Sequence, residues 1–476
     1  MKHHNIAAII LAKARQYPER PAFLTPDRVL TYGELVRRVE VMASHLAGMP
    51  SFSQVESPRV GVFCPGGIDH AVIMLALMRA GACAVPVAGE LPEFERNTLH
   101  RVVAPHGVIV GGGAVWPGLS GLTFDLGEGT TWYAGETRPP SFPENEFALL
   151  GPAFVRFSSG TTGQSKGVVL SHQTLGERLD SANRRLEITG NDRVLWTLPM
   201  AHHFVVSILL YLRSGAGIIL AESSLASDML EAALSHEATV FYGSPFQSAL
   251  LAAETSKRPW PALRLAVSTA APLSRPVTQA FQLRYGQPLV QALGIIEMGL
   301  PFLNLKHAAN KPLAVGAPDD FEVKLAGGGE EGELLLRGPG MFDAYLVPWR
   351  RRSEVMQGGW FATGDLARRD PDGTIHLVGR LKSVINVGGS KCFPEEIENI
   401  LQTHPEVVEV RVYGMSHPHW GELPVAQVVA QNPKDPPAAA ELIAFCRQRL
   451  ASYKIPVRFE WEVVLPRTAS GKMVRA

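Results

Sequence analysis

Apolar residues first fall at strand spacing in Val60, Val62 and Phe63, then cover every face of Ile68 to Arg79, and resume over Ala82 to Val87. That pattern predicts a strand, a buried helix and a second strand, which is a βαβ unit. Such units build a mostly parallel sheet flanked by helices. A second strand-like run, Phe154 to Phe157, leads into a segment of small and hydroxyl residues. Beyond it, Leu175, Leu179, Ala182 and Leu186 recur at helical spacing, with Ser171 as N-cap and Arg178, Arg184 and Arg185 on the other faces. Near the end of the chain the pattern changes to a small α+β unit. Pro394 opens a helix with Glu395 and Glu396 in its first turn, where acids favour the helix dipole, and with Ile397, Ile400 and Leu401 as its apolar face. Val408, Val410 and Val412 then alternate with Glu409, Arg411 and Tyr413 as a half-buried strand. Arg138 to Pro143, Ala326 to Gly332 and Pro433 to Pro437 read as loops, and no internal repeat is visible.

The 476 residues suffice for two or three domains. Hydrophobic residues make up 46% and charged residues 19%, an ordinary globular balance. Lys plus Arg equals Asp plus Glu at 45 each, which argues against a nucleic-acid surface or a polybasic membrane patch. The N-terminus has no secretory pattern, and the apolar stretch Val205 to Leu212 is too short to span a bilayer. Cys64, Cys83, Cys392 and Cys446 are scattered without metal-like spacing, so a cytoplasmic, reducing location is expected.

The candidate chemistry begins in VRFSSGTTGQSKGVVLSH, Val155 to His172. Glycines let backbone N–H groups converge on phosphate oxygens. Ser158, Ser159, Thr161, Thr162 and Ser165 add hydroxyl donors, Gly160 and Gly163 add freedom, and Lys166 adds charge. This is not a Walker loop, because Ser165 precedes the lysine and Gly167 follows it. Read alone, the segment fits a nucleotide-phosphate loop or a flexible surface loop.

From about residue 15 onward the chain resembles the adenylate-forming superfamily of acyl- and aryl-CoA synthetases, peptide-synthetase adenylation domains and firefly luciferase. The phosphate segment, QALGIIEMG, FATGDLARRDPDG, VGRLKSVINVGG and LPRTASGKMVRA occur in that family's order. The resemblance implies an α/β fold. A large N-terminal domain with parallel and mixed sheets flanked by helices would span 1–378, a hinge 379–382, and a small mobile α+β lid 383–476. It also implies ATP-dependent activation of a carboxylic acid to acyl-AMP and pyrophosphate, then thioester formation on CoA or on the phosphopantetheine of an acyl carrier protein acting in trans. No nucleic-acid partner and no membrane span are expected.

By the same resemblance Ser158 to Lys166 hold the β- and γ-phosphates, with Thr161 and Lys166 as catalytic positions. Glu297 matches the acid that ligates Mg2+, a hard ion suited to carboxylate oxygen. Read alone, it could also be a helix-start glutamate. Asp365 matches the ribose-binding aspartate, against a plain turn residue. Arg380 matches an arginine reaching ribose or phosphate, against an interdomain salt bridge. Ala270, Ala271 and Pro272, in STAAP, match a segment whose backbone meets adenine. Lys382 matches the hinge, Gly388 and Gly389 the thiol tunnel, and Lys472 the lysine that bridges the carboxylate and the α-phosphate. One departure stands out: Leu293, Gly294, Ile295 and Ile296 precede Glu297, where the family usually has an aromatic, a glycine, any residue and a threonine. Ile296 cannot donate the threonine hydrogen bond, and Leu293 cannot stack. The lost bond is on the order of 1.5–3 kcal/mol.

For the acid, LPMAHHF offers His202, His203 and Phe204, and YGSPF offers Tyr242, Gly243 and Ser244. No aspartate lies between Leu198 and Ser207 to meet an α-ammonium, so an α-amino acid is disfavoured. His202 matches the histidine of aryl-acid relatives, and His203 stands where they carry asparagine. Either histidine could instead be a packed core residue. Thr269 replaces a common glycine and would narrow the pocket, which suits a small aryl or short-to-medium acyl acid. The second reading is a catalytically impaired homologue that binds an acyl-adenylate or a partner protein. A luciferase-like oxygenase has no specific residue in its favour.

Overall fold

The computed structural model describes residues 5–49, 52, 54–116, 119, 123–127, 129–135, 139–157, 166–467 and 473. Among these, four sheets form. Arg59–Phe63, the helix Ile68–Arg79 and Cys83–Pro86 make the expected unit, and its two strands pair in parallel. They belong to a nine-stranded sheet whose other half carries Pro152–Phe157, Gly167–Ser171 and Ala344–Tyr345 side by side. An eight-stranded sheet is built around the parallel strands Leu265–Ser268, Val240–Gly243, Arg193–Trp196 and Gly217–Leu220. One apolar core joins these two sheets through the helices Ile68–Arg79, His172–Leu186 and Leu209–Ser214.

Two smaller sheets follow. Glu322–Leu325, Glu331–Arg337, Phe361–Arg369 and Ile375–Arg380 form an antiparallel sheet of four. After the 3-10 turn Leu381–Ser383, a five-stranded sheet packs the helices Pro394–Leu401 and Ala439–Arg447 around a core of its own. Lys382 lies in that turn.

Three local expectations need correction. Arg178 and Arg185 are buried, not on a solvated face: Arg178 Nε donates to Gly340 O at 2.6 Å, and Arg185 donates to the carbonyls of Pro301 and Leu300. Carbonyls at the ends of neighbouring segments let the helix His172–Leu186 bury guanidinium groups on a face that spacing alone assigns to water. Val408 is 50% exposed because the register shifts between Val407 and Glu409, so Val407 takes the inward position. The turn after Leu325 is shorter than Ala326 to Gly332, since Gly332 already pairs with Ala367. The N-cap expectation holds, with Ser171 Oγ accepting from Thr174 N at 3.1 Å.

Candidate active site

The strands Pro152–Phe157 and Gly167–Ser171 pair antiparallel on either side of the predicted phosphate segment. Ser158, Ser159, Gly160, Thr161, Thr162, Gly163, Ser165 and Lys472 lie outside the described residues. Lys166 sits where the second strand begins. A Cβ on Gly167 would come within 2.9 Å of Phe157 and 3.0 Å of Leu346, so no side chain fits directly after the lysine. That crowding gives a local reason for the glycine where a Walker loop carries Ser or Thr.

Arg156 and Tyr345 both stand opposite Val168, one on each side, so the three side chains share one face of the sheet. Tyr345 is the centre of the arrangement. Its hydroxyl donates to Glu297 Oε1 at 2.9 Å, and the Lys166 ammonium lies 4.7 Å from its ring centroid. Burial first, and then the Glu297 carboxylate, push the phenol well above its ordinary pKa, so it remains a donor. Glu297 occupies the turn between Leu289–Ile295 and Gly299–Leu303, not a helix start. Its own carbonyl accepts from Phe342 N at 2.7 Å. The segment of Phe342 and Tyr345 therefore grips Glu297 through both backbone and side chain.

Charge around Glu297 is predominantly positive. Burial draws the Arg156 and Arg178 guanidiniums down to about 10, with Glu297 acting the other way on both, so each stays protonated at neutral pH. Asp343 adds a second carboxyl, raised chiefly by burial. Among the described residues, Lys166, Arg156 and Arg178 thus stand with Glu297 and Asp343, a surplus of positive charge suited to a polyphosphate anion. The carboxylate of Glu297 suits Mg2+, which one or two carboxylates commonly hold together with phosphate and water. Arg156 and Tyr345 were missed by the sequence reading, because only strand register brings them to Glu297.

Asp365 lies within the strand Phe361–Arg369, which corrects the turn alternative, and stands opposite Arg380. Their side chains form an ion pair at 2.6 Å, with Asp365 buried and Arg380 exposed. The ring of Phe342 ties this strand to Tyr345, with centroids 5.8 Å from Phe361 and 4.8 Å from Tyr345.

The predicted acid wall is aromatic. His202 and His203 end the short helix Met200–His203, and a π-helical turn, Phe204–Ile208, follows. Such turns re-aim side chains and recur at functional sites. His203 meets the edge of Trp196 at 6.2 Å, and Trp196 stacks on Tyr242 at 5.6 Å. Phe204 is fully buried with His70 at 5.9 Å, which places it behind the wall. Ser244 caps the helix Pro245–Ala253 in a capping box with Gln247. A Cβ on Gly243 would lie 2.5 Å from Phe241.

Thr269 is buried and donates to Ala292 O at 3.2 Å. Ala270 follows with φ +74° and is partly exposed with Ala271, while Pro272 is exposed. Leu293 and Ile296 pack their side chains partly against the main core, and Gly294 is exposed. Gly388 and Gly389, with φ +55° and +88°, form the two-residue turn between Ile385–Val387 and Ser390–Cys392. Positive φ at both positions is what a tight hairpin demands. Beside His202, a cavity of about 480 Å3 opens at the carboxyl ends of strands from both large sheets, with Pro65, Glu90, Trp196, Met200 and Glu222 among its lining. No described helix is long and apolar enough to cross a membrane.

The pattern of the AMP-binding enzyme family matches residues 10–346, and that of the AMP-binding enzyme C-terminal domain matches 396–472. A feruloyl-CoA synthase from Amycolatopsis sp is 29% identical, over 100% of this chain and 98% of its own length. Among solved structures, o-succinylbenzoate CoA synthetase from Bacillus subtilis, in complex with its acyl-adenylate intermediate, has a TM-score of 0.84 at 26% identity, covering 98% of this chain and 96% of that one. An ATP-bound RpMatB-BxBclM chimera has a TM-score of 0.82 at 25% identity, covering 98% and 97%.

Proposed function

We propose, from the premise that the chain belongs to the AMP-binding enzyme family of adenylate-forming acyl- and aryl-CoA synthetases, that it joins a compact aryl or short-to-medium acyl acid to a thiol. ATP-dependent activation of a carboxylic acid and transfer to CoA are the family's chemistry. The observation that carries the reading is that Tyr345 holds Glu297 by its hydroxyl and Lys166 by its ring, next to the strands that flank the phosphate segment.

In this reading Lys166 and Ser158 to Ser165 hold the triphosphate, and Arg156 and Arg178 offset its charge. Glu297 would hold Mg2+, which neutralises phosphate oxygens as charge develops. Asp365 accepts hydrogen bonds from the ribose hydroxyls, a task for a group that only accepts. Ala270 to Pro272 and Leu293 border the adenine. Lys472 meets the acid carboxylate and the α-phosphate. Residues 379–382, with Lys382, act as a hinge between 1–378 and a lid at 383–476. The turn Gly388–Gly389 lines the thiol path.

The acid choice rests on His203, Trp196 and Tyr242, an aromatic wall with one imidazole, and on the absence of an aspartate near His202. A related protein named feruloyl-CoA synthase supports an aryl acid. CoA is the favoured thiol, and an acyl carrier protein is the other.

Magnesium-dependent ATP–pyrophosphate exchange tests this across benzoates, hydroxybenzoates, cinnamates, fatty acids and amino acids. Exchange with aryl or short acyl acids, lost in Lys472→Ala, is expected. Product masses with CoA and with a carrier protein then decide the acceptor. ATP binding without exchange for any acid would favour the impaired homologue, and Ile296→Thr would then be the repair to try.

A further inference from the structure

We infer that Tyr345 is a positioning residue that sets Glu297 and Lys166 at a fixed separation for the two ends of one magnesium-bound triphosphate; the inference rests on the ATP reading above. Glu297 comes from a hairpin turn and Lys166 from the start of a strand in another sheet. Tyr345 is the described side chain that touches both. Its O–H fixes one carboxylate oxygen, at 2.9 Å from Oε1 of Glu297. Its ring face holds the ammonium of Lys166 at 4.7 Å. A hydrogen bond to an ion is strong and directional, and a cation over a ring is weaker and more tolerant.

Two contacts hold the tyrosine itself, and a third ties its neighbour Phe342 to Glu297. It pairs with Val168 on the strand that Lys166 precedes, its ring lies 4.8 Å from Phe342, and Phe342 N donates to Glu297 O at 2.7 Å. Tyr345 is 5% exposed, so water competes poorly for its hydroxyl. The two contacts use different parts of one side chain, and they can therefore be removed separately. Tyr345→Phe deletes the hydroxyl and keeps the ring. Tyr345→Leu deletes both.

The readout is equilibrium ATP binding to the whole chain by titration calorimetry, once in EDTA and once in magnesium, with melting curves as a fold control. In the wild type magnesium should tighten binding. In Tyr345→Phe, affinity in EDTA should stay within about twofold, while magnesium's tightening shrinks by about tenfold, the scale of one hydrogen bond to a charged group. In Tyr345→Leu, affinity in EDTA should also weaken, by about two- to fivefold for the lost cation–ring contact.

Glu297→Asp draws the carboxylate back by one methylene and asks the same question without altering the tyrosine, should Tyr345→Phe not fold. It too should lose magnesium's tightening. Adding Tyr345→Phe to Glu297→Asp should then cost nothing further. A folded Tyr345→Phe with the wild-type magnesium response overturns the inference, as does equal behaviour of the Phe and Leu variants. A wild type that binds no ATP overturns the ATP reading, and this inference with it.

Discussion

At the Glu297 end of the site, charged side chains are set by strand register: Arg156 and Tyr345 share a rung with Val168, and Tyr345 reaches Glu297. At the His203 end, rings are set by packing, with Trp196 stacked on Tyr242 and a π-helical turn behind the histidines. Under the proposed function, the first end would hold a ligand whose shape is the same in every reaction. The second can be varied ring by ring without disturbing a hydrogen-bonded ladder. Under that proposal the phosphate chemistry could stay fixed while the acid changes, because different physical forces hold the two halves.

The sharpest way to break that division is Glu297→Gln, which keeps an acceptor for Tyr345 but removes the charge. Exchange should fall by about a hundredfold or more, the scale of losing one electrostatic group at a reacting phosphate. The fall should be parallel for every acid. A reordering of acids in this variant would mean that the two ends are not independent.

The complementary change is His203→Ala, which removes the imidazole from the edge of Trp196. Relative rates for acids with and without a ring hydroxyl should shift by about tenfold, as pocket contacts usually allow. The KM for ATP should stay within about twofold, since the change leaves every residue proposed to hold phosphate in place. Parallel loss for all acids would return His203 to the status of a packing residue.

The two ends also differ in how far they can be read from sequence. Glu297, Asp365 and Lys166 belong to short contiguous motifs, and a contiguous motif survives without knowledge of the fold. Tyr345 belongs to none of them, and Arg156, although inside the same motif as Lys166, carries no signal there, because strand pairing between distant segments decides the rung of both. Helix spacing located Ile68–Arg79 and the Ser171 cap correctly. It misplaced Arg178 because periodicity counts a guanidinium as solvated, while the Gly340 carbonyl waiting for it belongs to another segment. The bulge that exposes Val408 is likewise set by its partner strand. At the acid end, the π-helical turn after His203 has no sequence signature, and the identity of the rings says little about which of them face the ligand.

A further contrast is in the response to acid. His70, behind the histidine wall, is pulled down to about 4 by burial, with a smaller opposing effect from its bond to Cys64 O at 3.1 Å. Its Nε2 is buried without a partner among the described residues, so a second proton there would be uncompensated. Because the folded pKa lies below the unfolded one, the unfolded chain binds the extra proton first. Stability is full above the ordinary histidine range and is lost as the pH falls from there toward 4. The slope attributable to His70 is at most about 1.4 kcal/mol per pH unit. Urea unfolding at several pH values should show that slope shrinking in His70→Gln, and an unchanged slope would assign it elsewhere.

The smallest expected effect lies where the two ends meet. Thr269 N donates to Gly243 O, directly after Tyr242, on one side, and its hydroxyl donates to Ala292 O, in the strand leading to Glu297, on the other. Directly after it, Ala270 is held at φ +74°, in the left-handed region that a Cβ disfavours. That conformation costs roughly 1–2 kcal/mol in a residue other than glycine. Glycine at 270 would remove the strain but enlarge the freedom of the unfolded chain, which offsets roughly 0.5–1 kcal/mol of the gain. Ala270→Gly should therefore stabilise by about 0.5–1 kcal/mol in urea unfolding, the difference of those two effects. If the strain also fixes the spacing between the aromatic wall and the phosphate cluster, the same variant should bind ATP normally and exchange more slowly. A stabler protein with unchanged exchange would show that the two ends are joined by sheet pairing alone. A less stable one would mean that Ala270 makes packing contacts worth more than its backbone strain.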